Sequence, residues 1–489
     1  MSSSLKPQPL SHSLWTYDEL RSVFECDCVR APKGYGGVSI DTRSLMPGDL
    51  FFALSGVNRN GHDFVEKAFS SGAGAAVVRD QYAEVCSLHG PIFSVKDTQV
   101  ALENLGRASR MRTHAKIIAV TGSVGKTSTK EMLRLALANP GSKVHASHAS
   151  YNNHWGVPLS LARMPAEDSF GIFELGMSAP GEISNLTALV QPHVAIVTRI
   201  APAHLSSFPS VEAIADAKGE IFQGVRKGGV AILNRDDPHF DRLRAHACEH
   251  SLQAILTYGF AEQSDLRVQD CHVLGDGVFI SSRFRDHDLH YKIPCVGPSV
   301  ALNSLAALLA AYAVGVDLKK AAQRLSTYVP PGGRGGISLH TLPEGGTFSL
   351  MDESYNANPV SVAAALETLA LHSGGKGRRI AVLGDMLELG EEAHALHAGL
   401  LDFIERCDIH VVFAMGPLMK ALWDVLPPQR CGAWVATVEE LKEQVSSCLR
   451  PDDYVMIKGS NSTKISQVVR ALKEQYPEVS PFSSESQIS

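Results

Sequence analysis

Nine cysteines among 489 residues are an odd number, and no two of them form a Cys-x-x-Cys pair. Cys26 and Cys28 are the only close ones; the others are scattered as far as Cys448. This excludes a zinc site built on paired thiolates and speaks against a disulfide framework, so free thiols in a reducing compartment are expected. Long apolar runs are missing as well. No stretch could span a bilayer, and Met1 to Trp15 holds Ser, Pro and His without an apolar segment, which leads to the expectation of a cytoplasmic protein with no membrane partner. Nor is there an excess of positive charge. A net charge of -6 gives no electrostatic hold on nucleic acid, so a small anionic ligand must be met by a local site. No internal repeat interrupts the folded part, and the Ser-rich tail after Glu478 is expected to be disordered.

What is present is a chain with 44% hydrophobic and 20% charged residues, ordinary for a globular protein and long enough for about three domains. Its organising stretch runs from Ile117 to Ser128. An apolar, β-rich segment enters the turn Gly122-Ser123-Val124-Gly125 and leaves as a helix beginning Lys126-Thr127-Ser128. Glycines without a Cβ let the backbone bring its N–H groups against phosphate oxygens, and the helix start adds unpaired donors. Lys126 would neutralise the β- and γ-phosphates, and the Thr127 hydroxyl would ligate Mg²⁺. The pattern departs from the usual phosphate loop at Val120, where a glycine is customary.

The rest of the chain is expected to be α/β in three domains. Residues 1–96 form a small α/β unit of short strands and turns, residues 97–327 a parallel sheet with crossover helices, and residues 328–489 a Rossmann-like unit entered through Pro330 to Gly336. In such sheets ligands gather beyond the carboxyl ends of the strands, where Gly122, Glu174 and the segment Ala201 to His204 would converge. Taken alone, Asp41-Thr42-Arg43 reads as a solvated strand end and Asn60-Gly61-His62-Asp63 as a turn.

Further landmarks are Tyr151-Asn152-Asn153-His154-Trp155-Gly156, Phe173-Glu174-Leu175-Gly176, Ala203-His204-Leu205, Ala217-Lys218-Gly219-Glu220, Tyr355-Asn356-Ala357-Asn358-Pro359 and Leu383-Gly384-Asp385-Met386-Leu387-Glu388-Leu389-Gly390. With the phosphate loop, they make the chain resemble the Mur ligases, ATP-dependent amide ligases of peptidoglycan synthesis, from about Ile40 to Ala471. The last two motifs look like the member that joins D-alanyl-D-alanine to UDP-N-acetylmuramoyl-tripeptide. The resemblance implies that ATP is held by Gly122, Ser123, Val124, Gly125, Lys126, Thr127 and Ser128, with Asn303 at adenine, Asp352 and Tyr355 at the nucleotide, and Arg334 at its phosphates. It implies two Mg²⁺ ions, one on Thr127 and Glu174, the second on Glu174, His204 and a carbamylated Lys218. Thr42, Arg43, Gly56, Asn60, His62, Asn152 and Asn153 would meet the UDP-substrate, Asp385 to Glu388 would lie near the incoming dipeptide, and the enzyme would act as a monomer.

Two rivals remain. The ligase that adds the third stem residue in its diaminopimelate form is expected to carry Asp-Asn-Pro-Arg, which is absent. A GTPase switch finds loose matches in Asn234-Arg235-Asp236-Asp237 and Asp168-Ser169-Phe170-Gly171. Against it, Asp168 precedes its strand and would lie at the edge away from the phosphates.

Overall fold

The computed structural model describes residues 13–479 except 275, 276, 286 and 376, so the tail expected to be disordered lies, from Ser480 on, outside the described residues. Three units of sheet and helix follow one another. The first carries a parallel four-stranded sheet of Val38–Ser39, Leu50–Phe52, Ala75–Arg79 and Ile92–Val95. Its strands are shorter than expected. Asp41 to Arg43 is no strand end but a turn, closed by the Arg43 guanidinium on the Asp41 carboxylate. The helix Thr98–Arg112 packs Ala101, Leu102 and Leu105 into the same apolar cluster as Trp15, Phe52 and Val77, and that cluster also takes in Leu159 and Ala162.

The central sheet has nine strands among the described residues. Its middle is parallel, with Lys116–Thr121 between Val194–Val197 on one side and Phe170–Glu174 on the other. Alternate side chains explain why these strands are apolar throughout: Ile118 and Val120 enter one cluster beneath the Ala-rich helix Pro298–Ala313, while Ile117 and Ala119 enter a second against Glu182–Val190. The expected all-parallel sheet is extended by antiparallel strands, Gly277–Phe284 and His287–Ile293, laid beside Leu266–Leu274. Their alternating burial, one face in and one out, is the mark of a half-solvated antiparallel edge.

The third unit is a six-stranded sheet in which Gly336–Thr341 pairs antiparallel to Thr347–Glu353 and the remaining strands are parallel. A single helix expected from Glu391 to Glu405 is broken into Ala393–Ala398 and Leu401–Arg406 around Gly399. Among the described residues no helix is long and apolar enough to cross a membrane.

Candidate active site

A cavity of about 690 Å³ lies between the carboxyl ends of the central strands and those of the third sheet. From the central side come the loop after Lys116–Thr121, Glu174 at the end of its strand, and His204 on the segment after Val194–Val197. From the third unit come Arg334, Tyr355 and the strand-end residues Glu353 and Lys458. The convergence expected from the alternating pattern is therefore present, and a second sheet edge faces it.

The loop needs its glycines. Gly122 has φ 145° and Gly125 φ 90°, and a Cβ would meet the Thr198 hydroxyl at the first and the Asn303 amide at the second. The turn is tied down by Arg199 O, which accepts the N–H of Ser123 at 2.7 Å, and by the Ser123 hydroxyl on Ala201 O at 3.0 Å. Val124, Gly125 and Ser128 line the cavity with the first helical turn. Lys126 Nζ donates to Gly122 O at 2.6 Å; burial lowers its pKa, Glu174 opposes that, and Arg334 adds to it.

Glu174, 1% exposed, accepts the Thr127 hydroxyl at 2.7 Å on one oxygen and the Asn152 amide at 2.8 Å on the other. Asn153 does something different. Its side-chain oxygen accepts the N–H groups of Trp155 and Gly156, at 3.2 and 2.9 Å, and so opens the helix Gly156–Ala162. Across the cavity the Arg334 guanidinium lies 3.9 Å over the Tyr355 ring and donates to the Ser150 hydroxyl at 3.2 Å. Asp352 does not line the cavity; it accepts the Gly333 N–H at 3.1 Å and the Ser354 hydroxyl at 2.6 Å, shaping the turn that carries Arg334. Asn303 lines the cavity and accepts the Thr129 hydroxyl at 3.3 Å.

Lys218 is 2% exposed near the end of the helix Val211–Gly219. The two acids on hand are both occupied elsewhere: Asp216 pairs with Arg242 and His246, and Glu220 accepts the N–H groups of Gly181 and Ser184. Burial drives the Lys218 pKa well below its ordinary value, and the like charge of Lys126 pushes the same way. His204, with φ 60°, places Nδ1 at 2.5 Å from Glu388 of the third unit. Its pKa is lowered by burial, against the pull of Glu388.

Of the residues expected at the UDP-substrate, Asn152 and Asn153 line this cavity, whereas Thr42, Arg43, Gly56, Asn60 and His62 do not. Thr42 and Arg43 sit in the turn described above, and a Cβ on Gly56 would press on the Trp155 ring. Asn60 and His62 are committed to each other and to the backbone: Asn60 Oδ1 meets His62 Nδ1 at 2.7 Å, and His62 Nε2 accepts the Arg79 N–H at 3.0 Å while its ring stacks on Tyr82. The guanine-reading alternative loses its acids likewise, since Asp236 accepts from Phe260 and Ala261 and Asp237 from Ile200 and His239. Three buried or bridging residues escaped the sequence reading: Lys130, Ser150 and Lys458. Lys130, one helical turn beyond Lys126, was the detectable one, because a charged residue interrupts the buried face of that helix.

Three family models match the chain: the Mur ligase family, catalytic domain, over residues 34–122, the Mur ligase middle domain over 120–311, and the Mur ligase, glutamate ligase domain over 342–461. The UDP-N-acetylmuramoyl-tripeptide--D-alanyl-D-alanine ligase of Rickettsia prowazekii (strain Madrid E) is 32% identical over 432 residues, covering 88% of this chain and 94% of the relative. The chain belongs to the Mur ligase family. The ligase of the same name from Escherichia coli (strain K12) is 32% identical over 461 residues, 94% of this chain and 98% of that one. Among solved structures, MurF from Acinetobacter baumannii superposes with a TM-score of 0.81 at 27% identity, over 94% of this chain and 99% of the other. The three-unit α/β architecture is thus that of a Mur ligase.

Proposed function

We propose that this chain joins D-alanyl-D-alanine to UDP-N-acetylmuramoyl-tripeptide, with ATP cleaved to ADP and phosphate. The observation that carries this reading is the cavity between two strand-end edges, where Lys126, the Thr127–Glu174 pair and the unpaired Lys218 face Arg334 and Tyr355. The names of the relatives supply the substrates.

A substrate carboxylate oxygen attacks the γ-phosphorus of ATP and ADP leaves. The dipeptide amine then attacks the acyl carbon, phosphate departs with the C–O electron pair, and the amine gives up a proton. Lys126 and Arg334 oppose the charge that builds on the transferred phosphoryl group. The Tyr355 ring holds the Arg334 guanidinium flat, and Asn303 stands by the phosphate loop to meet the base. The docking of the third unit on the central one keeps water from the acyl phosphate.

Thr127 and Glu174 offer two hard oxygens 2.7 Å apart, a donor set that fits Mg²⁺ completed by phosphate oxygens and water. Among the described residues no cluster of three His, Cys, Asp or Glu side chains forms an all-protein metal cage, in keeping with a metal that arrives with its nucleotide. When bound, Mg²⁺ supplies Lewis-acid stabilisation of the phosphoryl oxygens. His204 and Lys218 would serve a second ion, Lys218 as its carbamate: the neutral amine that burial favours adds to carbon dioxide, loses a proton and becomes an anion.

Within this reading residues 1–96 take the UDP end, with Thr42, Arg43 and Gly56 near it, Asn60 and His62 bracing the loop, and Asn152 and Asn153 leading from that unit toward Glu174. Residues 97–327 hold ATP and residues 328–489 close over it, in a cytoplasmic monomer. The test is incubation with ATP, Mg²⁺, D-alanyl-D-alanine and either the diaminopimelate or the lysine UDP-tripeptide, followed by mass analysis. An amide product with one of them is expected; ATP hydrolysis with no amide from either would overturn the reading.

A further inference from the structure

Arg334 and Ser150 belong to different units, yet the Ser150 hydroxyl, at 3.2 Å, is the only hydrogen-bond partner of the Arg334 guanidinium among the described residues. No carboxylate forms an ion pair with Arg334 there; Glu353, which also lines the cavity, bonds Lys458 at 3.2 Å instead. The Tyr355 ring supports the guanidinium from 3.9 Å. An aromatic face attracts a cation without fixing where its N–H groups point. The contact with Ser150 supplies that direction.

Ser150 is itself held in a costly geometry. It follows the edge strand Val144–Ala146, and the residue before it, Ala149, has φ 48°, a left-handed conformation that an alanine adopts only against a steric penalty. Lys130, buried in the helix Lys126–Leu137, pins the turn by donating to the carbonyls on either side of His148, Ser147 O and Ala149 O, each at 2.7 Å. Ser147 is fastened in turn by its N–H on Ile172 O at 3.0 Å. The hydroxyl that reaches the cavity in this way also stands 3.5 Å from Thr127 Oγ1, whose own proton goes to Glu174 at 2.7 Å. A strained turn on a buried cation thus points one hydroxyl from the edge of the phosphate loop toward the third unit.

We infer that Ser150 is a positioning residue, whose hydroxyl sets the direction of the Arg334 guanidinium at the place of phosphoryl transfer. The inference rests on the ligase reading and adds to it the residue of the central unit that aims the cation of the third. Ser150 acts through Arg334, so its loss matters little for holding ATP and much for turning it over.

The test is a double-mutant cycle in the full chain, with kcat and the KM for ATP measured for wild type, Ser150→Ala, Arg334→Met and the double variant. Ser150→Ala is expected to lower kcat about 10-fold and to leave the ATP KM within about twofold. In the Arg334→Met background the same substitution should change kcat by less than about twofold, because no guanidinium is left to aim. Ser150→Thr, which keeps the hydroxyl, should recover most of the turnover, and a melting curve for each variant shows that it is folded. An unchanged kcat in Ser150→Ala overturns the assignment. So does an equal loss with and without Arg334, an ATP KM that rises as far as kcat falls, or a Ser150→Thr enzyme no better than Ser150→Ala. A wild type that makes no amide with either UDP-tripeptide overturns the ligase reading itself and this inference with it.

Discussion

Lys130 and Lys218 are buried alike, 0% and 2% exposed, yet they live in opposite surroundings. Lys130 donates to Ser147 O and Ala149 O, each at 2.7 Å, and pairs with Glu131 at 3.1 Å. Lys218 has no hydrogen bond or ion pair among the described residues, and the nearby Lys126 repels its charged form. A buried cation whose donors are filled ties chain to chain. One left unfilled costs the fold stability and persists where something else is to be bound or made. The same division separates the Asn60–His62 bracket, where every ring nitrogen is used, from the cavity between the two sheet edges.

The contrast is broken or sharpened most strongly at the active site. Lys218→Ala is expected to lose turnover on the order of 10²-fold or more, as for removal of a group that stabilises transition-state charge. Short carboxylates small enough to fill the vacated space should restore part of it. Exhaustive removal of carbon dioxide should slow the wild type and leave the rescued variant indifferent. A fully active Lys218→Ala enzyme, or one rescued by amines and not by carboxylates, would reduce this lysine to buried bulk. Lys126→Ala should fall as far with no rescue by carboxylates, since its task is to meet phosphate.

Lys130→Met tests the other half. It strands the buried Ser147 carbonyl, takes a donor from Ala149 O and leaves Glu131 to Arg134 alone, so a loss of about 2 kcal/mol in urea unfolding is expected. The loop from Ser147 to Ser150, which brings Ser150 to Arg334, should loosen with it. A variant within about 0.5 kcal/mol of wild type would show that filled donors are no sign of a strut.

A third measurement follows stability with pH. His193 Nδ1 accepts the Ile117 N–H at 2.9 Å, and burial, aided by Arg110, Lys116 and Arg226, pushes its pKa down to about 4. The folded ring therefore carries fewer protons than the unfolded one between about pH 6.5 and 4. Its contribution is complete above that window and is lost as pH falls through it, by at most about 1.4 kcal/mol per pH unit. His193→Asn, which retains an acceptor but no titrating ring, should unfold in urea with a shallower dependence on pH between 7 and 5. Equal slopes for the two proteins would mean that this ring is solvated after all.

These variants also mark how far the amino-acid sequence could be read. Gly122, Gly125, Lys126 and Thr127 were legible because a phosphate loop is local: its glycine conformations and the helix that follows occupy one short stretch. Glu174 was legible from its place at a strand end. The antiparallel strands from Leu266 to Ile293 were not, since parallel pairing was carried forward from their neighbours and their alternating pattern went unweighed. His204 and Glu388 are 184 residues apart, and no local pattern announces such a contact. Asn60 and His62 look the same in sequence whether they bind a ligand or brace a loop; the partners that decide, Arg79 and Tyr82, come from further along the chain.

The smallest expected effect separates two adjacent asparagines that look interchangeable in sequence. Asn152 holds a Glu174 oxygen, whereas Asn153 caps the backbone at the start of Gly156–Ala162. Asn153→Ala should therefore cost about 1 kcal/mol in unfolding free energy, the ordinary toll for a lost cap, and Asn153→Asp, which keeps the acceptor, should cost less. Asn152→Ala leaves that helix capped and frees one oxygen of Glu174, so its stability should be near wild type while its Mg²⁺ dependence of turnover shifts. If Asn153→Ala instead folds as well as wild type and raises the UDP-tripeptide KM, the side chain leaves the cap to meet substrate, and the division between committed and uncommitted polar groups would fail at that residue.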